Sequence, residues 1–233
     1  MKIVVLISAN AEWRAVRPLF PQAEVQSSPP GDWFTASFAG QPLTFFHGGW
    51  GKISAAATAQ YVLDRFQPDL LVNLGTCGGF EGQIETGAVI LVERTLVYDI
   101  IEQMGDPDEA IQAYSTSLDL SWLPDDFASG AVRRGLLVSA DRDILVADIP
   151  MLVSRFGAVA ADWESGAIAW VASKNRARCL ILRGVSDVVG GAGGEAYGNF
   201  ELFSQRTQAM MTKLLRLLET WLLTLPANSS PSP

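Results

Sequence analysis

Apolar residues occur along this chain in short runs that are separated by polar and glycine-containing segments. Runs of about four to eight bulky apolar residues are typical of buried strands. Ile3–Ile7 and residues 179–185 are the first and last such runs, and residues 33–38 and 43–47 predict a hairpin because a turn signal, Ala-Gly-Gln-Pro, lies between them. The other predicted strands are residues 70–74, 88–92, 135–139 and 158–161.

Apolar residues at helical spacing lie between these runs. The clearest case is Phe200–Thr224, in which Met210, Met211, Leu214 and Leu218 recur on one face. Helices are also predicted over residues 12–19, residues 52–65 and Ser165–Lys174. Because strands alternate with helices, the predicted fold class is α/β, a single domain with a mixed, largely parallel β-sheet flanked by helices.

Two segments show neither pattern. Residues 99–131 are rich in Asp, Pro, Ser and Trp, and they predict a long excursion over a site or at a subunit contact. Residues 226–233 have the Pro, Ser and Asn content of a disordered tail. The sequence contains no internal repeat or linker, which predicts one domain over residues 1–225.

Composition excludes some classes of function. Of the 233 residues, 48% are hydrophobic, which indicates a large core or a buried subunit interface. The formal net charge of -8 argues against non-specific nucleic-acid binding, which needs Lys and Arg beside the phosphates. The N-terminus does not resemble a signal peptide, and no run reaches the roughly 18 apolar residues of a membrane span, so we expect a cytoplasmic protein.

Few side chains are available for metal or histidine chemistry. Cys77, Cys179 and His47 are the only cysteines and the only histidine. Two isolated cysteines give neither a disulfide framework nor the ligand spacing of a zinc site. His47 follows an apolar run, which favours the end of a strand over a place in a Ser-His-Asp triad.

Three carboxylates, Glu12, Glu164 and Asp187, stand just beyond predicted strands or at the start of predicted helices. Each has a purely structural alternative, because such residues also stabilise helix dipoles or cap turns. Ligands of open α/β sheets, however, bind at the carboxyl ends of strands. A half-buried Asp187 at that position is expected to have a raised pKa and to hold a proton for a leaving group.

Two glycine-containing segments accompany the carboxylates. Residues 75–79, Gly-Thr-Cys-Gly-Gly, are interpreted as a turn after the central strand, and residues 48–52, Gly-Gly-Trp-Gly-Lys, open a predicted helix. A single glycine-rich turn is weak evidence of a ligand site. Together, the two turns and the three carboxylates predict one site with separate acid and base groups.

In this order, the motifs resemble those of the nucleoside phosphorylase superfamily, and within it the 5′-methylthioadenosine/S-adenosylhomocysteine nucleosidases. Residues 73–79 are similar to N-[TL]-G-[ST]-[AC]-G-G, and residues 49–52 are similar to G-[IVM]-G-K. Residues 162–165, Asp-Trp-Glu-Ser, resemble E-M-E-[AS], and residues 183–187, Arg-Gly-Val-Ser-Asp, resemble R-[AG]-[IV]-S-D. The resemblance extends over most of the chain and implies the family's three-layer sandwich.

The resemblance also implies roles for these residues in the cleavage of an N-glycosidic bond. Asp187, hydrogen-bonded by Ser186, would protonate N7 of a purine leaving group. Glu164 would bind the ribose hydroxyls and stabilise the oxocarbenium charge, while Glu12 would activate a water molecule below the anomeric carbon. Thr76 would help to hold that water. The implied reaction needs no metal and no organic cofactor.

Other residues are expected to line the substrate pocket. Cys77 and Gly78 would contribute backbone groups beside the purine or the ribose. Ile144 and Phe200 are also expected to contact the substrate. Trp163 takes the place of the methionine in E-M-E and would form a bulkier apolar floor for the ribose.

Three departures from the family pattern affect recognition of the base and the 5′ substituent. Asp162 replaces the first glutamate of E-M-E and is still expected to bind substrate. Asp143 stands where the nucleosidases place an aromatic residue that stacks on the purine; a carboxylate cannot stack, but it can accept a hydrogen bond from an exocyclic amino group. Residues 98–99, Tyr-Asp, lack the usual His-Asp pair. These departures leave the identity of the substrate open.

The nucleophile is expected to be water. Phosphorylases of the superfamily usually carry a phosphate-binding arginine in the strand before the glycine segment, where this chain has Asn73. Without that arginine a phosphate dianion lacks its main charge partner. Arg14 or Arg94 could take its place, so phosphate remains the alternative.

The expected function is therefore hydrolysis of 5′-methylthioadenosine or S-adenosylhomocysteine to adenine and the thioribose, by a homodimer. The alternatives are a phosphate-dependent purine nucleoside phosphorylase, a nucleosidase for another nucleoside such as futalosine, and a nucleoside-binding sensor without catalysis. The presence of all three carboxylates argues against a sensor, because simple binding needs no water-activating base.

Overall fold

The computed structural model describes residues 1–124, 127 and 132–224. Within these residues the strands form one sheet, in the spatial order β11-β10-β6-β8-β9-β5-β1-β4-β3-β2, with β7 paired to β6. The strands are β1 (Ile3–Ile7), β2 (Gln26–Ser28), β3 (Gly31–Phe38), β4 (Gln41–His47), β5 (Leu70–Phe80), β6 (Val89–Val97), β7 (Ser115–Ser117), β8 (Val132–Ser139), β9 (Ala158–Asp162), β10 (Cys179–Gly190) and β11 (Gly193–Gly194).

The described helices lie between the strands and after them. They are α1 (Asn10–Val16), α2 (Lys52–Phe66), α3 (Pro107–Ala113), α4 (Ile149–Phe156), α5 (Ser165–Lys174) and α6 (Phe200–Thr224), with 3-10 turns at Arg17–Leu19 and Val146–Asp148. The predicted bounds of α5 and α6 are confirmed. In the described parts of the chain, α6 included, no helix combines the length and the apolar character that crossing a membrane requires.

The sheet closes on itself at one end. β5 pairs with both β9 and β10, and β6 pairs with both β8 and β10, so these five strands form a closed ring. Among the described pairings, five are parallel and six are antiparallel. The prediction of a mixed sheet in a single α/β domain is confirmed, whereas the expectation of a largely parallel sheet is wrong because hairpins and ring closure add antiparallel pairs.

Helices cover both faces of the sheet. Ile3, Val5 and Ile7 of β1 pack in one apolar cluster with residues of α6, whereas the alternate residues Val4 and Leu6 pack in another with residues of α2 and α5. Successive side chains of a strand point to opposite faces. The continuous apolar run of β1 is therefore the pattern of a strand buried on both sides, in a three-layer arrangement.

Several segments differ from their predicted structure. Residues 75–79 are not a turn, because β5 continues through them to Phe80. Asp187 does not follow its strand but lies inside β10, which continues to Gly190. The hairpin of β3 and β4 is confirmed, and His47 ends β4 as predicted. Short elements without a clear pattern, namely β2, α3, β7, α4 and β11, were not predicted.

The predicted excursion over residues 99–131 has a different role from the expected cover of a site. It contains α3 and β7, and its aromatic residues Trp122 and Phe127 pack against Trp221 of α6. Residues 125, 126 and 128–131 lie outside the described residues, as does the predicted tail at 226–233. The described part of the excursion thus extends the core beneath α6, and a subunit contact there remains a prediction.

Candidate active site

A cavity of approximately 730 Å³ brings together every residue that the sequence analysis placed in a site. This volume lies within the range of small-molecule pockets, about 300–1,000 Å³. The predicted residues that line it are Glu12, Thr76, Cys77, Gly78, Asp143, Ile144, Asp162, Trp163, Glu164, Ser186, Asp187 and Phe200. They come from α1, β5, β9, β10, α6 and the connecting loops, so the fold rather than any single motif forms the cavity.

Arg183 of β10 lies beneath the cavity among three carboxylates. Its side chain is fully buried, and Nη2 lies 2.8 Å from Oδ2 of Asp162. The guanidinium also lies 3.9 Å from Glu12 Oε1 and 3.9 Å from Glu164 Oε2. We refer to Glu12, Asp162, Glu164 and Arg183 as the carboxylate floor. One buried cation thus faces three acidic groups, all of them buried.

The guanidinium is fixed by neutral partners as well. Nε donates to Ser165 Oγ at 2.8 Å, and Nη2 donates to Asn73 Oδ1 at 2.8 Å. A side chain at position 75 would displace it, because a Cβ on Gly75 would lie 1.6 Å from Nη1 of Arg183. The glycine at position 75 is therefore required by the close approach of Arg183, and not by a turn.

Glu12 is held at the start of α1 by three donors. Oε1 accepts hydrogen bonds from the backbone N–H and the hydroxyl of Thr76, at 2.5 and 3.0 Å. Oε2 accepts from the backbone N–H of Ala9 at 3.1 Å. These bonds fix the direction of the carboxylate and place the Thr76 hydroxyl beside it. A carboxylate and a hydroxyl in contact at a cavity wall are suited to orienting a water molecule.

Glu164 stands at the N-terminus of α5 and has an altered proton affinity. Its carboxylate accepts from the backbone N–H of Gly51 at 3.0 Å, which joins α5 to the turn before α2. Burial raises the pKa of Glu164 to about 8, with further contributions from Asp162 and Glu12, whereas Arg183 opposes the shift. Close carboxylates in a low-dielectric site disfavour simultaneous ionisation. The floor therefore keeps a proton at neutral pH.

Asp162 lines the cavity, but its carboxylate is bound to the protein on both oxygens. Oδ1 accepts from Ser139 Oγ at 2.6 Å, and Oδ2 accepts from the hydroxyl of Ser165 and pairs with Arg183. These contacts hold Arg183 and the first turn of α5. A direct contact of Asp162 with substrate stays a prediction.

Asp187 and Ser186 occupy an irregular position in β10. The pairing of β10 with β5 shifts register between Val185 and Asp187, as at a β-bulge, and such bulges re-aim side chains. Ser186 Oγ lies 2.9 Å from Asp187 Oδ1, to which it donates. Burial raises the pKa of Asp187, while the Ser186 hydroxyl and Arg206 act against the rise. The expectation of a raised pKa is confirmed, so this carboxyl is suited to hold a proton.

Cys77 and Gly78 form part of the wall on β5. Burial raises the pKa of the Cys77 thiol, so the thiol stays protonated and is a poor nucleophile. The Ile144 side chain packs so closely on Gly78 that a Cβ there would lie 2.6 Å from Ile144 Cδ1. Both β5 residues therefore act through shape and main-chain groups.

The upper margin of the cavity is aromatic and more exposed. Trp50, from the turn before α2, stacks on Trp163 with ring centroids 5.6 Å apart and an interplanar angle of 20°. Phe200 and Phe203, at the start of α6, lie with ring centroids 6.4 Å apart. We refer to these four residues as the aromatic rim. Trp50 is 60% exposed and Phe200 is 68% exposed, in contrast with the buried floor.

Lys52 joins two loops beside the cavity. Its ammonium pairs with Asp99, and its backbone N–H donates to Asp141 Oδ1 at 2.7 Å. Asp141 in turn donates its backbone N–H to Asp99 Oδ2 at 2.9 Å. These bonds fix the turn that carries Trp50 against the loop that carries Asp143. Asp143 itself is exposed and lines the cavity.

The two arginines considered as phosphate ligands differ in position. Arg14 is exposed and lines the cavity, whereas Arg94 is exposed elsewhere and donates to Ser115 Oγ at 3.4 Å. At the position of the usual phosphate-binding arginine, Asn73 is fully buried and donates to the Leu6 carbonyl at 3.1 Å while accepting from Arg183. Asn73 therefore helps to hold Arg183 of the carboxylate floor in place through a hydrogen bond.

Three residues of the site were not predicted from the sequence: Trp50 and Tyr197, which line the cavity, and Arg183 beneath it. Arg183 and Trp50 both lie in quoted motifs, but the charge of one and the size of the other were not given a role. Tyr197 lies in a glycine-rich segment after β10 without periodicity, and only its hydrogen bonds to Ile144 draw attention to it. Within residues 1–124, 127 and 132–224, no cluster of His, Cys, Asp and Glu is arranged to hold a metal ion.

Comparison with known sequences decides the family. The sequence model of the phosphorylase superfamily matches residues 2–222, which is nearly the whole chain. The chain belongs to the phosphorylase superfamily. The closed ring of strands, the buried Arg183 and the cavity above it are thus features of this superfamily member, and the resemblance stated from the motifs is confirmed.

The similar proteins within the superfamily share one activity name. A 5′-methylthioadenosine/S-adenosylhomocysteine nucleosidase of Tolumonas auensis is 24% identical over 230 residues, which cover 94% of this chain and 100% of that protein. The nucleosidase of Thermotoga maritima is 28% identical over 172 residues, 73% of this chain and 77% of that protein.

A solved structure supports the fold. A Helicobacter pylori MTAN mutant with 5′-methylthioadenosine in the active site has a TM-score of 0.79 and 18% sequence identity, and the alignment covers 96% of this chain and 99% of that one. At this identity the likeness shows the fold alone. It places this superfamily member in the same three-layer architecture with one mixed sheet.

Proposed function

We propose that this protein hydrolyses the N-glycosidic bond of a purine nucleoside, with 5′-methylthioadenosine or S-adenosylhomocysteine as substrate and adenine and the thioribose as products. The observation that carries the proposal is the Glu12–Thr76 pair held over Arg183, together with a second, protonatable carboxyl at Asp187 in the same cavity. The activity named for the relatives from Tolumonas auensis and Thermotoga maritima supports the same choice.

In the proposed reaction Asp187 makes the base a better leaving group. Burial raises the pKa of Asp187, which favours its protonated form, and the proton passes to N7 of the purine as the glycosidic bond breaks. Ser186 orients the carboxyl through its 2.9 Å contact with Oδ1. The electron pair of the broken bond leaves with the neutral purine, and positive charge develops on the ribose.

The carboxylate floor acts on the sugar and the water. Glu164 accepts hydrogen bonds from the ribose hydroxyls, and the negative charge that the floor shares stabilises the oxocarbenium ion. Glu12 takes a proton from the attacking water, which Thr76 helps to orient. The new C–O bond completes the hydrolysis. Trp163 packs beside the ribose as the neighbour of Glu164 along the chain.

Charge at the floor favours water over phosphate as the nucleophile. Three buried acidic groups surround one buried guanidinium, and Asn73 contributes no positive charge. A phosphate dianion would add negative charge without a matching cation. Arg14 lies at the exposed margin of the cavity and does not change the charge of the floor.

We further propose a cytoplasmic homodimer. Support comes from apolar side chains that remain exposed on one chain, among them Ile53 at 85%, Ile101 at 70% and Met104 at 97%. Association would remove these apolar side chains from water, which is favourable. Light scattering combined with size-exclusion chromatography tests the proposal, and a monomer at micromolar concentration would contradict it.

The test of function is product analysis with and without phosphate. The protein is incubated with 5′-methylthioadenosine, S-adenosylhomocysteine, inosine and futalosine, and free base and sugar are quantified by chromatography. Release of adenine and the free thioribose without phosphate is expected. Strict dependence on phosphate with formation of a sugar 1-phosphate would establish a phosphorylase instead, and tight binding without release of any base would establish a sensor.

A further inference from the structure

The hydroxyl of Tyr197 binds both main-chain polar groups of one cavity residue, Ile144. It accepts a hydrogen bond from the Ile144 N–H at 2.9 Å and donates one to the Ile144 carbonyl at 3.2 Å. Both residues line the cavity. A hydroxyl donates and accepts at a single point, which few other side-chain groups do. The Tyr197 hydroxyl therefore occupies both main-chain hydrogen-bonding groups of Ile144. We refer to the N–H and C=O of Ile144 as its main-chain edge.

This edge lies at the end of the cavity where a base would be protonated. Asp143, which precedes Ile144 in the chain, and Asp187 line the same cavity as Ile144 and Tyr197. Asp187 is the proposed proton donor to the base. A neighbouring N–H and C=O are also the groups that pair with a base carrying a ring nitrogen acceptor beside an amino donor.

Tyr197 is attached to the protein less firmly than the floor is. Tyr197 is 45% exposed. Its ring lies against Gly194, where an added Cβ would be 2.5 Å from ring atom Cδ1. Its backbone N–H donates to the Gly194 carbonyl at 3.0 Å, and the segment continues to Gly198 with a positive φ of 73°. The ring can leave Ile144 by a movement of this short segment, without unpacking the core.

We propose that Tyr197 competes with the base: its hydroxyl holds the Ile144 main-chain edge, and a base binds by displacing it from that edge. The inference rests on the proposed function, since it assumes that a nucleoside base enters this cavity. A base that offers both a donor and an acceptor, such as adenine, replaces both hydrogen bonds of the hydroxyl. A base that offers only an acceptor replaces one and leaves the carbonyl of Ile144 without a partner, which is unfavourable in a buried site.

The test compares wild-type protein with Tyr197→Phe by titration calorimetry, with adenine and unsubstituted purine as the probes. Phenylalanine keeps the ring and removes the competing hydroxyl, so adenine is expected to bind about five- to twentyfold more tightly to the variant. Purine, which lacks the amino donor, is expected to bind more weakly than adenine to both proteins and to gain by the same factor, because both probes displace the same hydroxyl. With 5′-methylthioadenosine as substrate, KM should fall by a similar factor while kcat stays unchanged.

Tyr114→Phe is the matched control, because Tyr114 packs against Trp170 and does not line the cavity. It should bind both probes as the wild type does. Unchanged or weaker adenine binding to Tyr197→Phe would overturn the proposal, as would equal affinities of adenine and purine for the wild type, because a base paired with both Ile144 groups must distinguish the two probes. Failure of the proposed function is seen separately, as absence of base release from every nucleoside by the wild type.

Discussion

The carboxylate floor and the aromatic rim enclose the same cavity, but they are built in opposite ways. In the floor, Arg183 is fully buried and hydrogen-bonded to Ser165 and Asn73, and each carboxylate accepts bonds from fixed partners. In the rim, Trp50 and Phe200 are mostly exposed and contact chiefly other aromatic rings. The floor stands on strands and helix ends of the sheet, whereas the rim stands on a turn and on the first turn of α6.

The difference indicates a division of labour. A buried network of hydrogen bonds and ion pairs keeps reacting groups in place and concentrates their electrostatic effect. Exposed rings on short segments are able to adapt to different substituents, and they exclude water without taking part in proton transfer. We therefore expect the floor to determine the reaction and the rim to affect which nucleoside is accepted.

The largest effect on stability is expected from removing the cation of the floor. Arg183→Leu leaves Glu12, Asp162 and Glu164 buried without their guanidinium, and breaking a buried pair in this way costs about 3–5 kcal/mol. Chemical denaturation measures the loss. Arg134→Leu is the control, because its pair with Glu93 is exposed, at 40% and 46%, and such pairs contribute about 0–1 kcal/mol. Equal losses in the two variants would show that the floor is not a cooperative network.

A pH-dependent effect of intermediate size is expected from Glu164. Its pKa rises from 4.5 to about 8 in the folded protein, so the folded state keeps a proton that the unfolded chain releases. Stability contributed by this group is present at low pH and is lost as pH rises through that window. Asp187, whose pKa is also raised, acts with the same sign.

Glu164→Gln tests this linkage because glutamine does not titrate. The thermal unfolding temperature of the wild type should decrease as the pH is raised from about 5 to 8, and that of the variant should decrease less steeply. Thermal denaturation at a series of pH values supplies the comparison. A slope in Glu164→Gln equal to that of the wild type would contradict the raised pKa.

The smallest effect is expected at the rim. Trp50→Ala removes a ring that lines the cavity and stacks on Trp163. An aromatic contact with the nucleoside contributes about 0.5–1.5 kcal/mol, so KM should rise about two- to thirteenfold. Turnover at saturation should change little. Leu223→Ala, at an exposed position near the end of α6 and outside the cavity, serves as the control. A large fall in kcat for Trp50→Ala would assign the rim a part in the chemistry and would remove the contrast with the floor.

The sequence was most informative where burial and chemistry coincide. The apolar runs located the strands that carry the site. The carboxylates Glu12, Glu164 and Asp187 were recognised because a charged residue beside a buried strand is costly unless it has a partner or a function. Arg183 was present in a quoted motif, but its role depends on partners far along the chain, in α1, β5 and β9. Only the folded sheet brings those partners together.

The rest of the site could not be read from local pattern. The glycines of residues 75–79 predict a turn by composition, yet β5 runs through them because they pair with β10 and β9. The Arg183 head group fills the space beside Gly75, which explains the glycine there. The prediction of a largely parallel sheet was wrong because the ring closes through antiparallel, long-range pairing of β5 with β9 and of β6 with β10. Tyr197 has no periodic context, and its hydrogen bonds to Ile144 span 53 positions of sequence.

The most direct test of the account compares two variants on two leaving groups. Asp187→Asn and Glu12→Gln are assayed with 5′-methylthioadenosine, whose base needs a proton to leave, and with 4-nitrophenyl riboside, whose phenolate leaves without one. Asp187→Asn should lose about 10²–10⁴-fold in kcat on the nucleoside and little on the nitrophenyl riboside, because only the first reaction uses its proton. Glu12→Gln should lose activity on both, since both need the attacking water. Equal losses of Asp187→Asn on the two substrates, or none on the nucleoside, would contradict the assignment of acid and base in this cavity.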